Sequence, residues 1–137
     1  MNYHVLTLFP DMIEQASGAS ILGRAIKNGC IGLDIINIRD FSANKHMRVD
    51  DYPYGGGAGM VMEAEPVYRA VEAAKQKCKK TPRVVYLTPQ AEVLCQTKVE
   101  ELADEEDLIL ICGHYEGYDE RIREFLVTDE ISVGDYV

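Results

Sequence analysis

Leu108-Ile109-Leu110-Ile111-Cys112, followed at once by Gly113-His114-Tyr115-Glu116-Gly117-Tyr118-Asp119-Glu120-Arg121, is the stretch that decides the fold class. Five consecutive apolar residues without alternation suit a strand covered on both faces, as an inner strand of a parallel sheet is. Glycines and polar residues then end the run, and Tyr118, Ile122, Phe125 and Leu126 fall on one face of a predicted helix. A strand that passes through a loop into a helix is the repeating unit of α/β proteins.

The same unit recurs on both sides. Upstream, Arg83–Leu87 is a short β-branched run closed by Thr88-Pro89, and Ala91, Leu94, Cys95, Val99 and Leu102 predict the helix after it. Earlier still, Pro66 stands near a helix start, with Val67, Ala70, Val71 and Ala74 at i, i+3, i+4 and i+7. Residues 3–9 read as the first strand, stopping at Pro10-Asp11. Ile21, Leu22, Ala25 and Ile26 then give a helical stretch ending at Asn28-Gly29. Residues 33–38 form a second strand, in which Asp34 and Asn37 point to a sheet edge, and residues 127–133 a last one. Residues 39–59 carry no usable periodicity and predict a long loop. The expected fold is α/β, a mainly parallel sheet with flanking helices, in one domain spanning residues 1–137.

Hydrophobic residues make up 47% and charged residues 27%, the balance of a soluble globular chain rather than a disordered or membrane one. No apolar run approaches the roughly 18 residues a spanning helix needs, and no signal peptide opens the chain, so a cytoplasmic location is expected. Cys30, Cys78, Cys95 and Cys112 form no C-x-x-C pair and predict buried, reduced thiols; His4, His46 and His114 make no local metal motif. The net charge of -9 argues on average against nucleic-acid binding. That charge is segregated, however. Six acids fall between Glu100 and Asp107, whereas Lys75, Lys77, Lys79, Lys80 and Arg83 form one basic stretch and Lys45, His46 and Arg48 a smaller one. The lysine run reads either as a solvated helix face or as an RNA contact.

Ligands of parallel sheets gather at the carboxyl ends of the strands. Residues 88–90, 113–117 and 134–137 occupy that place, and Leu87, Pro89, Tyr115 and Val133 would give them an apolar slot suited to a flat heterocycle. Glu116 and Asp119 either orient a bound group or are acids favoured at a helix start by its dipole. Gly55-Gly56-Gly57-Ala58-Gly59 fits neither a phosphate loop nor a dinucleotide fingerprint. It is either a turn or a loop whose missing side chains admit a partner to the backbone.

Four segments, residues 53–60, 86–90, 112–121 and 132–137, together resemble the bacterial tRNA (guanine-N1)-methyltransferases in content, order and spacing, across essentially the whole chain. The resemblance implies the SPOUT fold, in which the C-terminal part of the sheet is threaded into a trefoil knot and S-adenosylmethionine is bound bent at a homodimer interface. Carried over by motif, Tyr86, Leu87 and Pro89 would be one wall of the methyl-donor site. Gly113, Tyr115 and Glu116 would be another wall, with Glu116 also supporting catalysis, and Ser132, Val133, Gly134, Asp135, Tyr136 and Val137 the floor. Gly55, Ala58 and Gly59 would cradle the target guanine.

The implied reaction is methyl transfer to N1 of the guanine immediately 3′ of the tRNA anticodon. In the family the floor loop and knot continue past the position of Val137, followed by a catalytic aspartate and a helical tRNA-binding domain. The expectation is therefore that residues 1–137 lack the general base and do not turn over alone. Magnesium is not readable from the sequence. The competing reading is a noncatalytic nucleotide-binding or dimerisation module, which would show no preference for S-adenosylmethionine in calorimetry. A flavodoxin-like enzyme is disfavoured because Phe9-Pro10-Asp11 is no phosphate loop.

Overall fold

The computed structural model describes residues 1–43, 45–51, 59–114, 117–134 and 136. Along the chain run β1 (Asn2–Thr7), α1 (Pro10–Ser17), α2 (Ser20–Lys27), β2 (Gly32–Asn37), a 3₁₀ turn (Ile38–Phe41), β3 (Asp50–Asp51), β4 (Val61–Met62) and α3 (Ala64–Lys75). After these come β5 (Arg83–Leu87), α4 (Gln96–Ala103), β6 (Asp107–Cys112), β7 (Gly117–Tyr118), α5 (Glu120–Phe125) and β8 (Asp129–Ile131). Five strands form one sheet in the order β2-β1-β6-β5-β8, with every neighbouring pair parallel. The α/β expectation holds, with β6 inside the sheet and β2 at its edge.

Strand register sorts the side chains onto two faces. His4 and Leu6 of β1 stand level with Asp34 and Ile36 of β2 and with Ile109 and Ile111 of β6, and these with Val84 and Tyr86 of β5. This face receives α3. Val67, Ala70, Val71 and Ala74 are wholly buried against it, with Ile38, Met62 and Ile122 in the same cluster. The alanines matter because small side chains bring the helix axis close to the sheet, and Pro66 in the first turn removes no needed backbone donor. The opposite face carries Val5, Leu108 and Val85, also buried. Arg83 ties the far edge together: its Nε donates to Asp129 of β8 at 3.0 Å and its Nη1 to Glu101 of α4 at 2.7 Å.

Several expectations need correction. Ala91 to Cys95 are not helical: α4 begins only at Gln96, and Val93 instead makes a parallel bridge to Ser132. The apolar spacing there reflects a segment laid beside β8, and Val93 and Val99 are exposed. Tyr118 belongs to β7 rather than a helix, and Phe125 on the short α5 is 73% exposed. The long loop holds a short antiparallel pair, Asp50–Asp51 with Val61–Met62, anchored by the fully buried Val49. The predicted first helical stretch is two helices, and α2 ends where Gly29 takes a φ of 74°, a left-handed turn that favours glycine. Cys30 and Cys95 are exposed, against the expectation of four buried thiols. Among the described residues no helix is long and apolar enough to cross a membrane.

Candidate functional site

Leu87 ends β5 level with Cys112 of β6 on one side and with Ile131 of β8 on the other. Three adjacent parallel strands therefore finish together, and the segments after them emerge from one edge. This is the carboxyl edge of the parallel sheet, the edge at which open α/β sheets bind ligands.

A cleft of about 570 Å³ opens there, within the range of small-molecule sites. Leu87, Thr88, Pro89 and Gln90 form one side, Gly113, His114 and Gly117 another, with Gly59 and Met60 at the rim and Tyr136 arriving from the segment after β8. Among its described lining residues there is no carboxylate, lysine or arginine. The cleft thus suits a ligand held by shape, aromatic faces and backbone groups.

Two tyrosines set its inner wall. Tyr86 is only 4% exposed, and its ring lies 3.9 Å, centroid to centroid, from that of Tyr118. Burial pushes its phenol well above the ordinary tyrosine range. The Tyr118 hydroxyl donates to Glu130 at 2.7 Å, and Arg123 reaches the same carboxylate at 2.9 Å. Desolvation, with the neighbouring carboxylate, likewise holds the Tyr118 phenol protonated far above neutral pH. A side chain at Gly113 would place its Cβ 2.3 Å from the Tyr86 hydroxyl, so glycine is required by that close approach. His114 stacks edge-on against Phe9, 5.0 Å away, tying the loop after β6 to the loop after β1.

The site residues read from sequence divide as follows. Tyr86, Leu87, Pro89, Gly113, Gly59 and Tyr136 line the cleft. Ser132 does not: it is 1% exposed, and its backbone is taken up by Glu92, which accepts from its N–H at 2.9 Å, and by Leu94, which donates to its carbonyl at 2.8 Å. Val133 is 64% exposed and absent from the lining, and Gly134 is likewise outside it. Gly55, Ala58, Tyr115, Glu116, Asp135 and Val137 lie outside the described residues. Asp119 caps α5, accepting from the Arg121 N–H at 3.0 Å and pairing with its guanidinium, which holds the carboxyl below its usual range. The residues not assigned from sequence are Met60, Thr88, Gln90, His114, Gly117 and Tyr118. Thr88 and Gln90 sat in a loop already placed at the sheet edge, whereas nothing local marks Tyr118 as the partner of Tyr86.

A second cleft of about 610 Å³ lies beside α3 and α5, lined in part by Asp51, Glu63, Glu65 and Asp119. Burial and the neighbouring Asp51 raise the Glu63 carboxyl. No described residue of the three strand-end loops lines it, and its carboxylates would repel phosphate. The smaller, neutral cleft is therefore the functional candidate.

Lys75, Lys77 and Lys80 face Glu72, Asp34 and Glu106, and the last two acids lie toward the strand starts, opposite the cleft.

Residues 1–137 match in full the family model described as tRNA (Guanine-1)-methyltransferase TrmD. A tRNA (guanine-N(1)-)-methyltransferase of Oceanobacillus iheyensis is 57% identical over 100% of this chain and 56% of its own length, and one of Bacillus cereus is 56% identical with the same coverage. The crystal structure of tRNA (m1G37) methyltransferase from Aquifex aeolicus superposes with a TM-score of 0.89 at 39% identity, covering 100% of this chain and 61% of that one. The chain thus spans little more than half the length of the curated relatives it matches. With the family model matched over residues 1–137 and the curated and structural relatives in agreement, the chain belongs to the tRNA (guanine-N1)-methyltransferase family.

Proposed function

We propose that this protein transfers a methyl group from S-adenosylmethionine to N1 of the guanine immediately 3′ of the tRNA anticodon, as a cytoplasmic homodimer. The observation that carries the reading is the level finish of β5, β6 and β8, which sets the family's motif segments around one cleft. When bound, the donor supplies an electrophilic methyl on a sulfonium. The cleft fits such a group: its volume is in the range of small-molecule sites, and Tyr86, Tyr118 and Tyr136 are among its lining residues.

The reaction asks two further things of the protein. The N1 proton needs a base, and charge developing on O6 needs a donor. We assign the base to no residue of 1–137; by family resemblance it is an aspartate C-terminal to Val137, in a protein that also carries a helical tRNA-binding domain. Residues 1–137 then bind the donor without completing turnover. Dimerisation is supported by the apolar residues left uncovered on α1 and α2, where Met12, Ile21 and Leu22 are 66%, 73% and 46% exposed.

Calorimetry with S-adenosylmethionine and radiolabelled methyl transfer to a tRNA transcript test the proposal. The expected result is saturable donor binding that weakens on substitution of Pro89 or Tyr136, with transfer by the longer, base-containing protein only to transcripts bearing that guanine. No preference for S-adenosylmethionine in calorimetry would favour the noncatalytic module, and transfer by residues 1–137 alone would refute the placement of the base.

A further inference from the structure

At the opposite end of the sheet from the cleft, three chemically distinct side chains converge. His4 of β1 and Asp107 at the start of β6 are 5% and 7% exposed, and Cys78, just beyond α3, is partly buried above them. His4 Nε2 lies 3.0 Å from Asp107 Oδ1 and 3.6 Å from Cys78 Sγ, and all three potential ligand atoms fall within 4.8 Å of one another. The other ring nitrogen, Nδ1, faces Asp34 Oδ2 at 2.9 Å, and Lys77 binds that same oxygen at 2.9 Å. Parallel pairing explains the assembly: β1 is flanked by β2 and β6, so their starting residues share the face on which α3 ends.

We propose that His4, Cys78 and Asp107 form a binding site for a zinc-class divalent ion, separate from the methyl-transfer cleft. A tetrahedral zinc ion places imidazole nitrogen and thiolate sulfur roughly 3.5 Å apart and nitrogen and carboxylate oxygen roughly 3.3 Å apart, and the two separations made by His4 Nε2, 3.6 and 3.0 Å, already lie within a few tenths of an ångström of these. One nitrogen, one sulfur and one oxygen are a zinc-type ligand set, and partial exposure of Cys78 leaves a fourth position and an entry path on the solvent side. Asp34 holds His4 through Nδ1, the carboxylate–histidine arrangement that fixes a metal-binding imidazole in the right tautomer. On loading, the ligand nitrogen and sulfur give up their protons to solvent and the dication takes their place.

The test is titration of the protein carrying Cys30→Ser and Cys95→Ser, which removes the two exposed thiols, with Zn²⁺ and with Co²⁺ as spectroscopic probe. One ion per chain and a sulfur-to-cobalt charge-transfer band are expected, with the band abolished by Cys78→Ser. Asp107→Asn and the positioning variant Asp34→Asn should each weaken affinity about 10- to 100-fold, the latter keeping the band. A cobalt complex without the sulfur band, or zinc affinity unchanged in Cys78→Ser and Asp107→Asn, overturns the proposal. Circular dichroism checks each variant's fold. Should a variant not fold, alkylation of Cys78 in the parent decides: Zn²⁺ is expected to suppress it at least tenfold, and an unchanged rate would count against the site.

Discussion

Gly113→Ala offers the sharpest test of how the cleft is built. The added Cβ would stand 2.3 Å from the Tyr86 hydroxyl and 3.1 Å from Cζ, with the phenol edge next at 3.8 Å. The first separation is too short to survive, so hydroxyl and loop must part by roughly 1 Å to reach ordinary contact. Tyr86 has little freedom to yield, being buried in the core and stacked on Tyr118. Gly113 does not occupy the left-handed region, so the effect is steric rather than backbone strain. Overpacking of this kind costs about 1–3 kcal/mol. Urea unfolding should show that loss, and calorimetry should show donor affinity reduced about tenfold or more as the wall shifts.

The decisive arm is the double variant. Tyr86→Phe deletes the clashing oxygen and leaves only the 3.1 Å contact, which a few tenths of an ångström relieve. Gly113→Ala in the Tyr86→Phe background should therefore cost at least ~1 kcal/mol less than in the parent, a coupling expected of residues in contact. Additive costs, or a Gly113→Ala variant with parental stability and affinity, would refute the claim that the close approach dictates glycine.

Other consequences are checked more simply. Arg83→Gln should cost about 1.5–3 kcal/mol in urea unfolding, because its partly buried bonds to Asp129 are to a charged acceptor. Arg83 holds the Asp129 carboxyl below its ordinary value of 3.8, so the pair stabilises fully above that pH and the contribution drains as pH falls through the depressed value. The variant should accordingly show a flatter loss of stability than the parent below pH about 4. Tyr118→Phe removes the 2.7 Å bond to Glu130, which keeps Arg123 as a partner, and a destabilisation of about 1 kcal/mol is expected by thermal unfolding. Alkylation followed by mass spectrometry should label Cys30 and Cys95 first and Cys112 last, since burial pushes the Cys112 thiol up.

Much of this was legible in sequence because it is periodic. The unbroken run at Leu108–Cys112, the i, i+3, i+4, i+7 stripe of α3 and the polar Asp34 and Asn37 that mark β2 as an edge all report local burial, and the sheet and its main helix followed. The segment from Ala91 to Cys95 misled because its apolar spacing fits both a helix and a strand-like stretch bonded to Ser132. The site was legible as loops, since strand ends and glycines are written in the chain. The stacking of Tyr86 on Tyr118, the burial of Ser132 and the gathering of His4, Cys78 and Asp107 were not. Each depends on which strands become neighbours and in what register, which no local pattern encodes.

The placement of β6 between β1 and β5 also bears on how the molecule comes into being at the ribosome. A strand made from the first residues waits for Asp107–Cys112 before its second flank is filled. Until then its inner edge stays open and the cleft at the strand ends does not exist, because β5 too lacks a neighbour. Such long-range closure favours slow, late folding and exposes the nascent chain to misassociation. The candidate cleft is therefore among the last features to form during synthesis, and its presence reports that the sheet has closed.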